Sequence, residues 1–375
     1  MESNTSSAIP ASFVKPQNVK PKNYFYFIDA LRGIAALWVF FFHAALDDRL
    51  TMLTNILPHW FVVVLFDWGG LGVPIFFVIS GFVIAHTISG VKVDFAYFKY
   101  FALRRFARLN PPYYFSIIVA LAFAFLASYA KGEIFAPGND TFSLQRLAAH
   151  LFYLQEIFRF TNFNDVYWTL CLEVQFYLCF CVLLGLAQWL NNSYNLQYSR
   201  AFVFAPAAIL SSIYPIVIFT GNGRVNFFLP FFYQFLLGVF AYWSWRDKLK
   251  PAYFYLYCGL VLTSRISHLP THAITSVFIA ILLLESGKAN YIEKWLKWDW
   301  LQFLGKISYS FYLTHTPIYG ATFFVANKLF KSGVISEILC LTIGLIACIL
   351  FATLMWQLIE KPSIHFTKKI KLQTG

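Results

Sequence analysis

Apolar runs broken by short polar connections occupy nearly the whole chain. The pattern predicts ten helices crossing a hydrocarbon core of ~30 Å at ~1.5 Å per residue. They lie near 30–48, 70–88, 112–130, 168–190, 202–220, 227–245, 252–265, 272–286, 302–326 and 336–358. The short run Trp60–Phe66 precedes Gly69, Gly70 and Gly72 and reads as an outer-face segment leading into the second helix. The fold class expected is an all-α polytopic membrane bundle. Residues 1–23 read as a disordered polar tail, 24–366 as the membrane domain and 367–375 as a short basic tail.

Composition agrees with this reading. Of 375 residues, 59% are hydrophobic and 12% charged, about half the charge of a soluble domain, which excludes a water-soluble enzyme. The net charge of +12 is explained by sidedness without invoking nucleic acid. With ten crossings, 21 of the 29 Lys and Arg fall on the side of the termini and eight on the other, so both termini are expected to be cytoplasmic. The longest connection, Lys131 to Tyr167, lies on the outer side and contains Leu144, Leu147, Leu151 and Leu154 at helical spacing. The six cysteines sit inside apolar runs without metal-type spacing, so neither a disulfide framework nor a metal site is expected.

Ionisable groups inside such helices are costly and mark candidate chemistry. Arg32 and His43 lie on the first helix, about 16 Å apart along its axis. An imidazole at that depth can act as a general base or as an acyl-carrying nucleophile, or can simply join two helices. Glu173 enters the fourth helix from the outer face at similar depth, where a carboxylate would fix the tautomer of His43. Ser308, Tyr312 and His315 follow one another at helical steps and read either as a substrate path or as packing contacts. Arg104, Arg105 and Arg108 converge on one cytoplasmic patch, suited to phosphate or to anchoring the next span, with Pro111 and Pro112 at its start. Glu360-Lys361-Pro362 closes the last helix and reads as structural. Phe152, Tyr153, Phe158, Phe160, Phe163 and Tyr167 in the outer loop could stack on sugars, although an interfacial belt is the commoner explanation.

Together these fragments resemble the membrane acyltransferase family 3, which includes bacterial O-antigen, exopolysaccharide and Nod-factor O-acetyltransferases. The resemblance rests on Ile28 to Leu37 followed by His43, similar to an Arg-x10-His signature, and on Gly70 to Phe82, the Arg104–Arg108 loop, Trp168 to Glu173, Ser308 to Pro317, and Glu360-Lys361-Pro362. Pro74 departs from the pattern where many relatives carry an acidic residue, as does Thr314 where Trp commonly precedes the histidine.

The resemblance implies an enzyme of a bacterial inner (plasma) membrane, without a permanent cofactor, that moves an acetyl group from cytoplasmic acetyl-CoA to a hydroxyl of a carbohydrate or lipid-linked saccharide. His43 and Glu173 are the catalytic candidates. Arg32, Arg104, Arg105 and Arg108 would hold the CoA phosphates, and Ser308, Tyr312 and His315 would line the substrate path. Transfer is expected to finish on this domain or on a separate protein. A multi-pass transporter, and an acyltransferase using succinyl-CoA or a non-glycan acceptor, are the alternatives. Membrane lipids and acyl-CoA are the partners expected, and nucleic acid is not.

Overall fold

A computed structural model of the chain describes residues 24–218, 227–264 and 270–370. The expected N-terminal tail lies outside the described residues, as do Arg224, Arg265 and Lys371 from the charge census. Among the described residues there is no strand. The helices are α1 (Tyr26–Ala45), α2 (Thr51–Ile56), α3 (His59–Leu65), α4 (Gly72–Thr87), α5 (Phe95–Lys131), α6 (Leu144–Leu151), α7 (Tyr167–Tyr194), α8 (Ser199–Ile218), α9 (Leu229–Trp245), α10 (Pro251–Ser264), α11 (Pro270–Lys288), α12 (Asp299–Leu329), α13 (Val334–Met355) and α14 (Lys361–Lys369). Each of the ten apolar runs falls on one of them. By length and composition, Tyr26–Asp48, His59–Thr87, Phe95–Lys131, Tyr167–Tyr194 and Val334–Lys369 can each cross a membrane. The protein is a multi-pass membrane bundle.

In lipid, helices gain little from burying apolar surface against one another, so close backbone approach at small residues carries much of the packing. Two pairs of helices show this. Along α4 and α9, a Cβ added at Gly81 would stand 1.9 Å from the carbonyl oxygen of Phe235, and one at Gly238 would stand 1.9 Å from that of Val78. Along α1 and α12, a Cβ at Gly305 would meet the carbonyl oxygen of Asp29 at 2.2 Å. These contacts bring α1, α4, α9 and α12 together, and α7 joins them through α4.

Two expectations about elements change and a third gains detail. The helix of the third span does not start at Pro112, because α5 runs unbroken for 37 residues through Pro111 and Pro112. Asp94 caps its start by accepting the Tyr97 N–H at 2.8 Å, and Gly132 ends it in the left-handed region at φ 71. The Pro pair removes two amide hydrogens from the ladder without stopping a helix anchored at both ends. The run after Pro58 forms the seven-residue helix α3, joined to α4 by a tight 3-10 turn at Asp67–Leu71. The last span does not close at Glu360 either. A π-helical turn, Trp356–Glu360, leads directly into α14, so the first residues of the expected basic tail are helical.

Candidate active site

Two cavities lie within the bundle, and they share no lining residue. The inner one, about 120 Å³, is lined by Arg32 of α1, Ser80 of α4, Arg105 and Arg108 of α5, Glu173 and Tyr177 of α7, Ser308, Tyr309 and Tyr312 of α12, and Glu360. The outer one, about 1040 Å³, takes in His43 and His315, Asn164 and Asp165 of the long connection, and the C-terminal halves of α5 and α12. Because α1 is one continuous helix, it carries Arg32 into the first and His43 into the second.

The arginine patch is narrower than its spacing suggests. At 100° per residue, Arg104 and Arg105 flank Arg108 on opposite sides, so a helix packed on a bundle can turn only one of them inward. Arg105 and Arg108 face the inner cavity, while Arg104 is exposed and donates to the Tyr100 hydroxyl at 2.7 Å. Arg105 lies 4.8 Å above the Tyr177 ring, and Arg32 is 3.9 Å from Asp29.

Glu173 is not beside His43. Its carboxylate accepts from Ser80 Oγ and from the Tyr177 hydroxyl, and these two hydroxyls are themselves 2.6 Å apart. The acid therefore belongs to the arginine-lined cavity. Glu360 joins it there instead of serving only as a helix terminus. Its Oε2 accepts from the Ser310 hydroxyl at 2.6 Å and from the Ser310 N–H at 3.2 Å. Three guanidiniums thus face two carboxylates in a small space, where an incoming polyanion would meet preset donors.

What stands beside His43 is a second histidine. His315 Nδ1 lies 2.9 Å from the Tyr312 carbonyl and 3.2 Å from that of Phe311, so Nδ1 carries the proton and Nε2 accepts. His43 Nδ1 is 2.9 Å from the Val39 carbonyl and 3.3 Å from His315 Nε2. Both neighbours are acceptors, so His43 Nδ1 is the donor and its Nε2 keeps a free lone pair. That assigns the His43 ring nitrogens as a general base requires, with an imidazole in the orienting position where a carboxylate was expected. The stripe on α12 divides accordingly: Ser308 and Tyr312 face the inner cavity and His315 the outer.

The long connection is folded tightly against the histidines. Ser143 caps α6 by accepting the Arg146 N–H at 3.2 Å. Arg146, 1% exposed, donates to five backbone carbonyls, those of Pro137, Asp140, Thr141, Thr161 and Asn162, at 2.8 to 3.2 Å. Asn164 then donates to the Leu313 carbonyl at 3.1 Å and accepts from Thr316 Oγ1 at 2.6 Å, tying this connection to α12 on both sides of His315. Of the outer-loop aromatics, Tyr153 and Tyr167 are buried and line neither cavity, Phe163 is buried but lines the outer cavity, Phe160 is half-buried, and Phe152 and Phe158 are exposed. In the sequence Arg146 is one of the eight Lys and Arg on the outer side. The signal that marks it is its place with Ala149 and His150 on one face of a short amphipathic helix.

His150 reports on this packing. Its Nδ1 donates to the Arg146 carbonyl at 2.8 Å and its Nε2 accepts from the Phe163 N–H at 3.2 Å. Burial pushes the imidazole down to about 4. Above ~6.5 both folded and unfolded loops hold it neutral; below that, only the unfolded loop binds the proton, so stability falls as pH drops toward about 4. Proteolytic nicking within 132–166 is expected to accelerate as the pH is lowered through this range. His150→Gln should flatten that dependence, and a dependence left unchanged would remove His150 as its cause.

An acyltransferase domain family model matches residues 25–357. The chain belongs to that acyltransferase family. Its membership makes the protein an acyltransferase and disfavours a transporter. Among curated relatives, a protein of Acidianus two-tailed virus named as an acetyltransferase is 29% identical over 78% of this chain and 83% of its own length. The peptidoglycan O-acetyltransferase of Listeria monocytogenes is 24% identical over 79% of this chain, which spans half the length of that relative. No solved structure gives a significant match.

Proposed function

We propose that this acyltransferase is an O-acetyltransferase of a bacterial inner membrane, moving an acetyl group from cytoplasmic acetyl-CoA to a hydroxyl of an envelope or exported saccharide. The observation that carries this reading is the division of labour between the two cavities. One presents guanidiniums suited to phosphates, and the other presents an imidazole with a free nitrogen in a space large enough for sugar units. The names of the two curated relatives support acetyl as the group transferred, and the Listeria relative's name supports an envelope glycan as acceptor.

In the reaction, the acceptor hydroxyl gives its proton to His43 Nε2 as its oxygen attacks the thioester carbonyl. The resulting imidazolium is steadied by His43 Nδ1–H donating to Val39 and His315. Collapse of the tetrahedral intermediate breaks the carbon–sulfur bond, and the thiolate of CoA takes the proton back from His43. Glu173, Ser80 and Tyr177 order the wall against which Arg105 rests.

Detergent-purified protein given labelled acetyl-CoA and cell-envelope saccharide should release CoA in step with acceptor labelling. Arg105→Ala and Arg108→Ala should each raise the KM for the donor about tenfold with a smaller change in kcat, since each removes a charge-assisted contact to the donor. A donor KM unchanged in both variants would refute the inner cavity as the donor site.

A further inference from the structure

The reaction above needs a thioester from one cavity and a hydroxyl from the other to meet, yet the two spaces are separate. Along α12 the step from one to the other is under one helical turn, the ~4.5 Å rise from Tyr312 to His315. Tyr312 lines the inner cavity and His315 the outer, and their rings are 6.0 Å apart. The Tyr312 hydroxyl is 3.0 Å from Thr169 Oγ1. Since Thr169 already donates to the Val166 carbonyl at 2.8 Å, Tyr312 is the donor in this pair. Phe76 closes the other side of the ring at 5.4 Å, edge to face. One neutral hydrogen bond between α12 and α7 therefore holds the aromatic ring across the gap.

We propose that Tyr312 is the partition between the donor and acceptor sides. With its hydroxyl on Thr169, the ring keeps outer-cavity water from a thioester held among the arginines. When the ring rotates off Thr169, the acetyl group reaches His43 and the acceptor hydroxyl. Tyr312 is thus a positioning residue whose effect is on the fate of the acyl group, divided between acceptor and water. This inference rests on the reaction proposed above.

Two measurements test it. In the labelled acetyl-CoA assay with acceptor present, Thr169→Val and Tyr312→Phe should each raise hydrolysis relative to transfer by about fivefold, the weight of one neutral hydrogen bond. An unchanged ratio overturns the partition. Loss of transfer in Tyr312→Phe without added hydrolysis also overturns it, because the hydroxyl would then be a reactant.

The second measurement needs no activity. Ser80→Cys places a thiol on the inner cavity, and a membrane-impermeant maleimide is added to right-side-out or inside-out vesicles, with labelling of the chain lacking that cysteine subtracted. With Tyr312 intact, labelling should come from one face only. With Tyr312→Ala or the Thr169→Val, Tyr312→Phe pair, it should come from both. Labelling from both faces with Tyr312 intact, or no gain on its removal, overturns the proposal. If the wild-type protein transfers no acetyl, the proposed reaction fails, and the labelling pattern still decides the partition.

Discussion

His43→Ala is expected to lower acetyl transfer by about 10²-fold or more while the protein still accumulates in the membrane, the loss typical of removing a general base. The reason lies in the geometry of one ring. Nδ1 of His43 is committed to Val39 and His315, so Nε2 is the only basic atom this side chain offers to the outer cavity. His315→Ala should act more weakly, by about tenfold, and should shift the pH profile, because it removes an acceptor from the imidazolium and not the base itself. His315→Gln, whose amide oxygen can accept from His43 Nδ1, should recover part of the rate. Wild-type acetylation in cells carrying His43→Ala, with acetyl content read by mass spectrometry, would refute the assignment.

The largest effect on stability is expected at Arg146. Arg146→Met keeps the stem but strips the donors from five carbonyls in the 137–162 segment. With each buried orphan costing about 1–3 kcal/mol and partial relaxation toward water, a net loss of about 3–5 kcal/mol follows. Arg146→Lys should recover little, because one ammonium cannot span the positions that a planar guanidinium reaches. The variant should show a lowered Tm in detergent, early protease cleavage within 132–166, and loss of transfer as Asn164 releases the His315 turn. A protease-resistant loop in Arg146→Met would show that the guanidinium does not hold it.

Helix positions were legible because each depends only on a local run of apolar residues. The ten runs all fall on helices, and the arginine, glutamate and histidine candidates all stand on cavity walls except Arg104. Which residues meet was not legible. Ser80 with Glu173, His43 with His315, and Ser310 with Glu360 join residues 93, 272 and 50 positions apart. Those pairings are set by how helices rotate against one another, which hydrophobic periodicity alone leaves open. Equal depth suggested Glu173 for His43, but depth fixes only one coordinate of three, and the rotation of α7 turns that acid toward α4. The continuity of α5 was hidden for a different reason. A Pro pair reads as a helix start whenever nothing upstream is known to anchor the chain, and here Asp94 and the packing of α14 against α5 supply that anchor.

The crossing of α4 and α9 has a consequence for how this sequence can drift. Every amino acid other than glycine carries a Cβ, and at Gly81 and Gly238 that single carbon would overlap a carbonyl oxygen. Even alanine therefore requires the facing backbones to shift there, whatever the polarity or charge of the replacement. Any substitution at these two positions is expected to push the α4 and α9 backbones apart, and the surrounding side chains can vary most freely where they preserve that spacing.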